Sequence, residues 1–280
     1  MREIESVLIT EVVEKLFIKA NYTIPKDIED ALKSAYIKEK TDICRSALDS
    51  IIKNIDAAKE LDIPVCQDTG MAVVFIEIGQ DVHIVGESLK NAINKGVRNA
   101  YLNGYLRCSI VSDPLKRINT NDNTPAIIHT EIVDGEKIKI TAAPKGFGSE
   151  NMSSLKMLTP SANLEDIIDF IVNSVIKAGS NPCPPVIVGV GIGGNFEQVA
   201  LLSKKALLRP LNIKNSDPFY ADLEKKSLNL INKTGIGAQG FGGTQTALSV
   251  NIETFPTHIA GLPIAVNMSC HATRHESEII

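Results

Sequence analysis

The chain has 280 residues, 44% of them apolar and 22% charged, with a formal net charge of −4. That size and balance suit one large globular domain or two lobes and exclude a disordered chain. The mild negative charge, the absence of tryptophan, the 5% aromatic content and the lack of any run of roughly 18 apolar residues argue against nucleic-acid binding and membrane insertion.

Ile4, Val7, Leu8, Val12, Leu16 and Phe17 recur at helical spacing, as do Ile43, Ala47, Leu48, Ile51, Ile55 and Ala58, with another helix expected over roughly Lys26 to Lys38. Residues 1–62 therefore read as an N-terminal helical region. Pro64 ends the helical pattern and delivers the chain into Cys66-Gln67-Asp68-Thr69-Gly70, a loop before the apolar strand MAVVFIEIG. Gly79-Gln80-Asp81 reads as a turn into DVHIVG. Leu89, Ile93, Val97 and Ala100 then mark one helix face, and Arg107-Cys108, Asp113-Pro114 and the polar run Asn119 to Asn123 together read as a loop.

Asp134-Gly135 between AIIHTEIV and EKIKITAA predicts a β-hairpin. PKGFGSEN follows as a polar loop, and Ile167 to Ile176 supply an apolar helix face ending near Gly179. NPCPP then reads as a stiff extended segment, VIVGVG as a strand, FEQVALLSKKALL as a helix, and Ser216-Asp217-Pro218 as the cap of another. TALSVNIETF and LPIAVNMSC read as two closing strands. The expected fold class is α+β, with the helical region at 1–62 and a mixed or antiparallel sheet flanked by helices in a continuous region over 63–280.

Gly189-Val190-Gly191-Ile192-Gly193-Gly194 fits a dinucleotide fingerprint between a strand and a helix. Leu208-Arg209-Pro210 stands where the ribose-binding acid belongs, and no following strand is expected to complete the unit, so a tight packing turn or a substrate-side loop is the competing reading. The Gly235 to Gly243 cluster lacks the Lys-Ser/Thr of a phosphate-binding loop and reads as close packing, facing a site or not. His271 and His275 make no zinc pattern, and Arg274 and Glu276 read as solvated charges.

Five cysteines, an odd number thinly spread, suit thiols or metal ligands in a reducing compartment, and MREIESVLIT lacks an apolar signal segment, so a soluble cytoplasmic protein is expected. Cys66 precedes Gln-Asp-Thr-Gly, Cys183 is clamped by prolines, and Cys270 ends a strand before histidine. Cys44 lies on a helix and reads as packing, and Cys108 beside Arg107 is open to either role. Their spacing by itself defines no metal site.

CQDTG, the DNTPA and His129 segment, KGFGSEN, PCPP, GVGIGG and SCHATRH, in this order over nearly the whole chain, together resemble the alpha chain of two-subunit class I fumarate hydratases and L(+)-tartrate dehydratases. The resemblance implies a 4Fe-4S cluster on Cys66, Cys183 and Cys270, with one iron lacking a cysteine. It implies substrate contacts from Gln67, Asp68, Arg107, Gly146, Ser149, Glu150 and Asn151, with Asp68 the candidate for proton transfer. Phe147 stands where the family often has glycine.

The activity implied is an oxygen-sensitive hydro-lyase that reversibly dehydrates a 2-hydroxy dicarboxylate, malate to fumarate first, with L(+)-tartrate or a mesaconate-type acid as alternatives and a nucleotide-dependent oxidoreductase as the rival. Further catalytic residues belong in this family to a second domain or a beta chain, and no motif after His275 supplies them. The expectation is a cluster-bearing half active only with a beta subunit, most simply as α2β2.

Overall fold

Ile9, Val12, Val13, Leu16, Phe17 and Ala20 fall on one face of Ser6–Tyr22, and all six are buried. Full burial of a large apolar side chain contributes about 1.5–3 kcal/mol, against at most about 0.7 kcal/mol per residue from helix propensity. Packing therefore holds this helix.

The computed structural model describes all 280 residues as an α+β fold. In chain order the first part runs β1 (Arg2–Glu5), α1 (Ser6–Tyr22), α2 (Lys26–Lys38), α3 (Asp42–Leu61), β2 (Met71–Gly79), β3 (Val82–Val85), α4 (Leu89–Asn103), β4 (Ile127–Val133) and β5 (Ile138–Lys145). The second runs α5 (Phe147–Glu150), β6 (Ser154–Leu158), α6 (Leu164–Ala178), β7 (Val186–Gly193), α7 (Phe196–Ala206), α8 (Pro218–Asn232), β8 (Ala247–Phe255), β9 (Leu262–Ser269) and β10 (Glu276–Ile279). No helix is long and apolar enough to cross a membrane.

Two units result, and they are not divided at residue 62. The first comprises Met1–Pro25, Ile55–Phe147 and Arg274–Ile280; the second comprises Lys26–Asn54 and Gly148–Thr273. The reason lies in α1, whose apolar face packs on α4 and β5 rather than on α2.

In the first unit a mixed sheet has the order β10-β5-β2-β4, with β4 parallel and β5 antiparallel to β2. Val74 and Ile76 of β2 and Ile138, Ile140 and Ala142 of β5 form one core with Leu16, Phe17, Ile93 and Val97. The expected β4–β5 hairpin does not form, because β2 lies between its two strands. The Asp134-Gly135 connection instead passes over the end of β2, where Gln80 N donates to the Val133 carbonyl at 2.8 Å and Asp81 N to that of Gly135 at 3.0 Å. A Cβ on Gly79 would stand 2.3 Å from the Gly135 oxygen. The two-residue signal reports the local turn, whereas β2, buried along nearly its whole length, takes the central place. β1 and β3 form a separate parallel pair.

The second unit has a sheet of order β6-β9-β7-β8, with β7 parallel to β8 and antiparallel to β9. Alternation along β7 assigns its faces. Val186, Val188, Val190 and Ile192 enter a core with Ile168, Ile171, Val175, Leu223 and Ile231 of α6 and α8. Gly189 and Gly191 face α7: a Cβ on them would stand 2.2 Å from the Ser203 oxygen and 2.3 Å from that of Val199. Contrary to expectation, a strand does complete the crossover, since β8 lies parallel to β7 after α7 and α8. The glycines nonetheless serve as the packing surface for a helix, which is the competing reading of the fingerprint.

Candidate active site

In the first unit the Cys66 to Gly70 loop is tied at Asp68, Thr69 and Gly70, and at Val65 just before it. Val65 N donates to the Asn21 carbonyl at 2.9 Å. Asp68 is half-buried, its Oδ1 accepting from Gly70 N and its Oδ2 from Phe147 N, both at 3.0 Å. A Cβ on Gly146 would lie 3.1 Å from Asp68 Oδ2, so this glycine leaves room for the carboxylate. Gly70, at φ +77°, brings the loop so close to β5 that a Cβ would stand 2.7 Å from Lys145 N.

Thr69, 2% exposed, clasps Arg107: its Oγ1 accepts from Arg107 N at 2.9 Å and lies 3.2 Å from the Arg107 carbonyl. The buried Tyr101 hydroxyl lies 2.8 Å from the Thr69 carbonyl and 2.9 Å from that of Gly70, and Asn123 Nδ2 donates to the latter at 3.1 Å. Burial pushes the Tyr101 phenol well above its ordinary value, Arg274 opposing and Asp68 reinforcing the shift. It stays a neutral donor.

Arg274 is not a solvated charge. It is 5% exposed, and its guanidinium donates to the Asp68 carbonyl. A backbone carbonyl flanked by a guanidinium is a charge-assisted anchor, which is why burial of this arginine is tolerated. Glu276 is paired with Lys19 at 2.9 Å. Gln67 and the Arg107 side chain are exposed, and Cys66 is half-buried. Burial raises the Cys108 thiol, with Asp122 adding to the shift. Asp122 itself is lowered, hydrogen bonds from Arg98 and Thr124 outweighing the opposing effect of burial.

In the second unit Cys183 is exposed and adopts φ +52°, a left-handed conformation unusual for a side chain with a Cβ. Its N–H donates to the Ser180 carbonyl at 3.0 Å, and its carbonyl faces His271, with His271 N at 3.4 Å and Nδ1 at 2.9 Å. β7 and β9 pair with Ile187 opposite Ser269, so the segments holding Cys183 and Cys270 leave the sheet side by side. Thr273 closes the turn after Cys270 by donating from N and Oγ1 to its carbonyl, at 3.1 and 2.8 Å.

Ser149 is buried, Glu150 half-buried and Asn151 exposed. Glu150 receives Lys204 Nζ at 2.5 Å on one oxygen and Asn267 Nδ2 at 2.9 Å on the other, and Asn267 also donates to Ser153 Oγ at 2.8 Å. Glu150 thus fastens α5 to α7 and β9. That role leaves no trace in the local sequence.

All five cysteines are thiols. Cys44 is packing: it is fully buried, with its Sγ 2.9 Å from the Gly242 carbonyl. Cys66, Cys183 and Cys270 differ from it in lying on loops with partly or fully accessible side chains. Neither unit by itself gathers three His, Cys, Asp or Glu side chains around a common point. Cys108 shares that setting, and the donor chemistry of such thiols suits iron in a sulfide cluster, which thiolates hold.

Comparison with known protein families gives the class of the chain. Residues 10–278 match the family model described as fumarate hydratase (fumerase), and the chain belongs to that family of hydro-lyases. It is 43% identical over 274 residues to a protein of Methanocaldococcus jannaschii provisionally named L(+)-tartrate dehydratase subunit alpha, covering 95% of each chain. Against the L(+)-tartrate dehydratase subunit alpha of Escherichia coli strain K12 it is 30% identical over 276 residues, covering 97% of this chain and 90% of the other. A second Escherichia coli protein of that name, from strain UTI89, is 31% identical over 270 residues.

Proposed function

We propose that this chain is the cluster-bearing alpha subunit of a 4Fe-4S hydro-lyase acting on a 2-hydroxy dicarboxylate, with Cys66, Cys183 and Cys270 as its thiolate ligands and a beta subunit as its obligate partner, most simply in an α2β2 assembly. The observation that carries this reading is similarity along 95% of both chains to a protein named as a tartrate dehydratase alpha subunit. That name, with those of the Escherichia coli relatives, favours L(+)-tartrate as substrate. Malate is the second reading, favoured by the fumarate hydratase description of the family.

When bound, such a cluster with three cysteine ligands supplies a Lewis-acidic iron that makes a substrate hydroxyl a better leaving group. The residues of this chain do the rest. Arg107 presents an exposed guanidinium, whose planar fork suits a substrate carboxylate. Gln67, also exposed, offers both a donor and an acceptor.

Asp68 takes the proton from the carbon next to the one whose hydroxyl leaves; that C–H pair becomes the new double bond, the C–O pair leaves with hydroxide, and a proton from solvent, replaced when Asp68 releases its own, completes the water. Each of its oxygens already accepts one backbone N–H, which fixes the carboxylate plane and leaves lone pairs for the proton. Gly146 keeps the space before Oδ2 open. Ser149 and Asn151 complete the polar contacts, with Glu150 holding their turn in place.

The test is co-expression with a beta subunit, anaerobic purification and assay against L(+)-tartrate, malate and mesaconate. The expected result is a brown complex with roughly four irons and four sulfides per alpha chain, turning over tartrate fastest and losing activity in air. A colourless complex that cannot be reconstituted, or an isolated chain with full activity, refutes the reading.

A further inference from the structure

The glycine-rich segment from Gly235 to Gly243 has no part in the chemistry above, yet it is built against the Cys183 turn. At its centre Ala238–Gly240 forms a short 3-10 turn with Gln239 at φ +54°. Gln239 N and Nε2 both donate to the Pro184 carbonyl, at 2.8 and 2.9 Å, and Nε2 lies 3.2 Å from His271 Nδ1. That ring nitrogen is also 2.9 Å from the Cys183 carbonyl. One nitrogen serves one partner at a time: protonated, it donates to Cys183; unprotonated, it accepts from Gln239. In either state Gln239, His271 and the Cys183-Pro184 backbone form a single hydrogen-bonded unit.

The far side of the segment is clamped too. Glu39, 1% exposed, accepts from Thr244 N at 2.9 Å and Gln245 N at 3.1 Å, and Cys44 Sγ lies 2.9 Å from the Gly242 carbonyl. A Cβ on Gly240 would stand 2.5 Å from Ser180 Cβ, and one on Gly243 2.8 Å from Glu39 Oε2. The glycines therefore let one thin loop fit between the carboxylate and the cysteine turn.

We propose that Gln239 is a positioning residue that holds the left-handed backbone of Cys183 and the ring of His271 in place through its side-chain amide. A left-handed conformation at a residue with a Cβ is sterically disfavoured and persists only where its surroundings enforce it. The functional meaning rests on the reading of Cys183 as a cluster ligand; the positioning itself does not.

The test uses the full chain. Gln239→Gly keeps the left-handed backbone without steric cost and removes the amide, while Gln239→Glu keeps the side-chain length and replaces the donor with an acceptor. In the cluster-free protein the amides of Cys183 and His271 should exchange with deuterium about five-fold faster in both variants, the factor that corresponds to losing a hydrogen bond of about 1 kcal/mol. Amides of β7 should be unchanged. After anaerobic reconstitution and reduction, the paramagnetic resonance line shape of the cluster should differ from wild type. Unchanged exchange at Cys183 and His271 in whichever variant folds overturns the proposal, and so does acceleration spread evenly through β7. A wild-type chain that takes up no iron and sulfide overturns the cluster reading alone, since the exchange comparison still decides the positioning role.

Discussion

Replacing Glu39 by glutamine removes one charge and almost no volume. The wild-type carboxylate accepts from Lys40 N at 2.7 Å and Thr41 N at 3.0 Å on Oε1, and from Thr244 N at 2.9 Å and Gln245 N at 3.1 Å on Oε2. A glutamine can turn its carbonyl oxygen toward only one of these pairs, so its NH2 group meets the other pair donor to donor. Two backbone N–H groups lose their acceptor at about 1–3 kcal/mol each, and E39Q should destabilise the protein by about 2–6 kcal/mol at neutral pH.

The effect carries a pH signature. Burial pushes the Glu39 carboxyl upward, but the backbone donors of Thr41, Thr244 and Lys40 outweigh it and hold the pKa below its ordinary value of 4.5. A depressed carboxyl contributes stability that is fully present above the unfolded-state value and is lost as pH falls through the folded-state one. Urea unfolding of both proteins, followed by circular dichroism at steps from pH 7 downward, should show a deficit that is constant near neutrality and narrows below about pH 4.5. Equal midpoints at pH 7, or a deficit that is the same at every pH, would refute the reasoning.

Three other outcomes follow from the structure. Gly191→Ala should cost several times more stability than Gly135→Ala in the same urea titration, because its Cβ would stand 2.3 Å from the Val199 carbonyl of α7 while nothing lies within 4 Å of Gly135. The Gly135 change, at φ +102°, should cost about 1–2 kcal/mol from backbone strain alone. Glu150→Gln should lower the unfolding midpoint, since it weakens the bond to Lys204 at 19% side-chain exposure, whereas Asn151→Ala should leave stability within about 0.5 kcal/mol and raise KM of the assembled enzyme. Asp68→Asn should reduce kcat of the assembled enzyme by about 10²–10⁴ with a melting temperature shifted by only a few degrees; a near-normal kcat would remove Asp68 from proton transfer.

The long periodic elements were legible because their burial is written in their own spacing. α1 and the apolar run of β2 are examples, and the loop before β2 was placed by Pro64 alone. Strand order was not legible: Asp134-Gly135 encodes a turn, while the choice of β2 as the strand between β4 and β5 depends on burial summed over the whole sheet. β1 and β10 are four residues each and largely polar, and β6 has only five residues, too few for its pattern to announce a strand. In the candidate site, the cysteines and the Asp68 loop stood out as motifs. The roles of Thr69, Tyr101, Asn123, Gln239 and Arg274 did not, although four of them lie in motifs, because each acts through a partner distant in the chain and its side chain carries no local mark of such a bond. Glu39 at the end of α2 looks like any helix-terminal acid until Thr244 and Gln245 reach it.

β10 lies against β5, with Glu276 opposite Ala142 and Ile279 opposite Lys139, while Lys15 and Lys19 of α1 pair with Glu278 and Glu276. Arg274, just before this strand, anchors the Asp68 carbonyl. On the ribosome the first unit therefore waits for the synthesis of residues 274–280, although nearly all of its core is encoded before residue 147. Residues 148–273 emerge in the interval, so a nascent chain carries an unfinished sheet edge beside β5 throughout that time, and such edges invite pairing with other chains. The carboxylate loop acquires its guanidinium anchor only when residues 274–280 join the first unit.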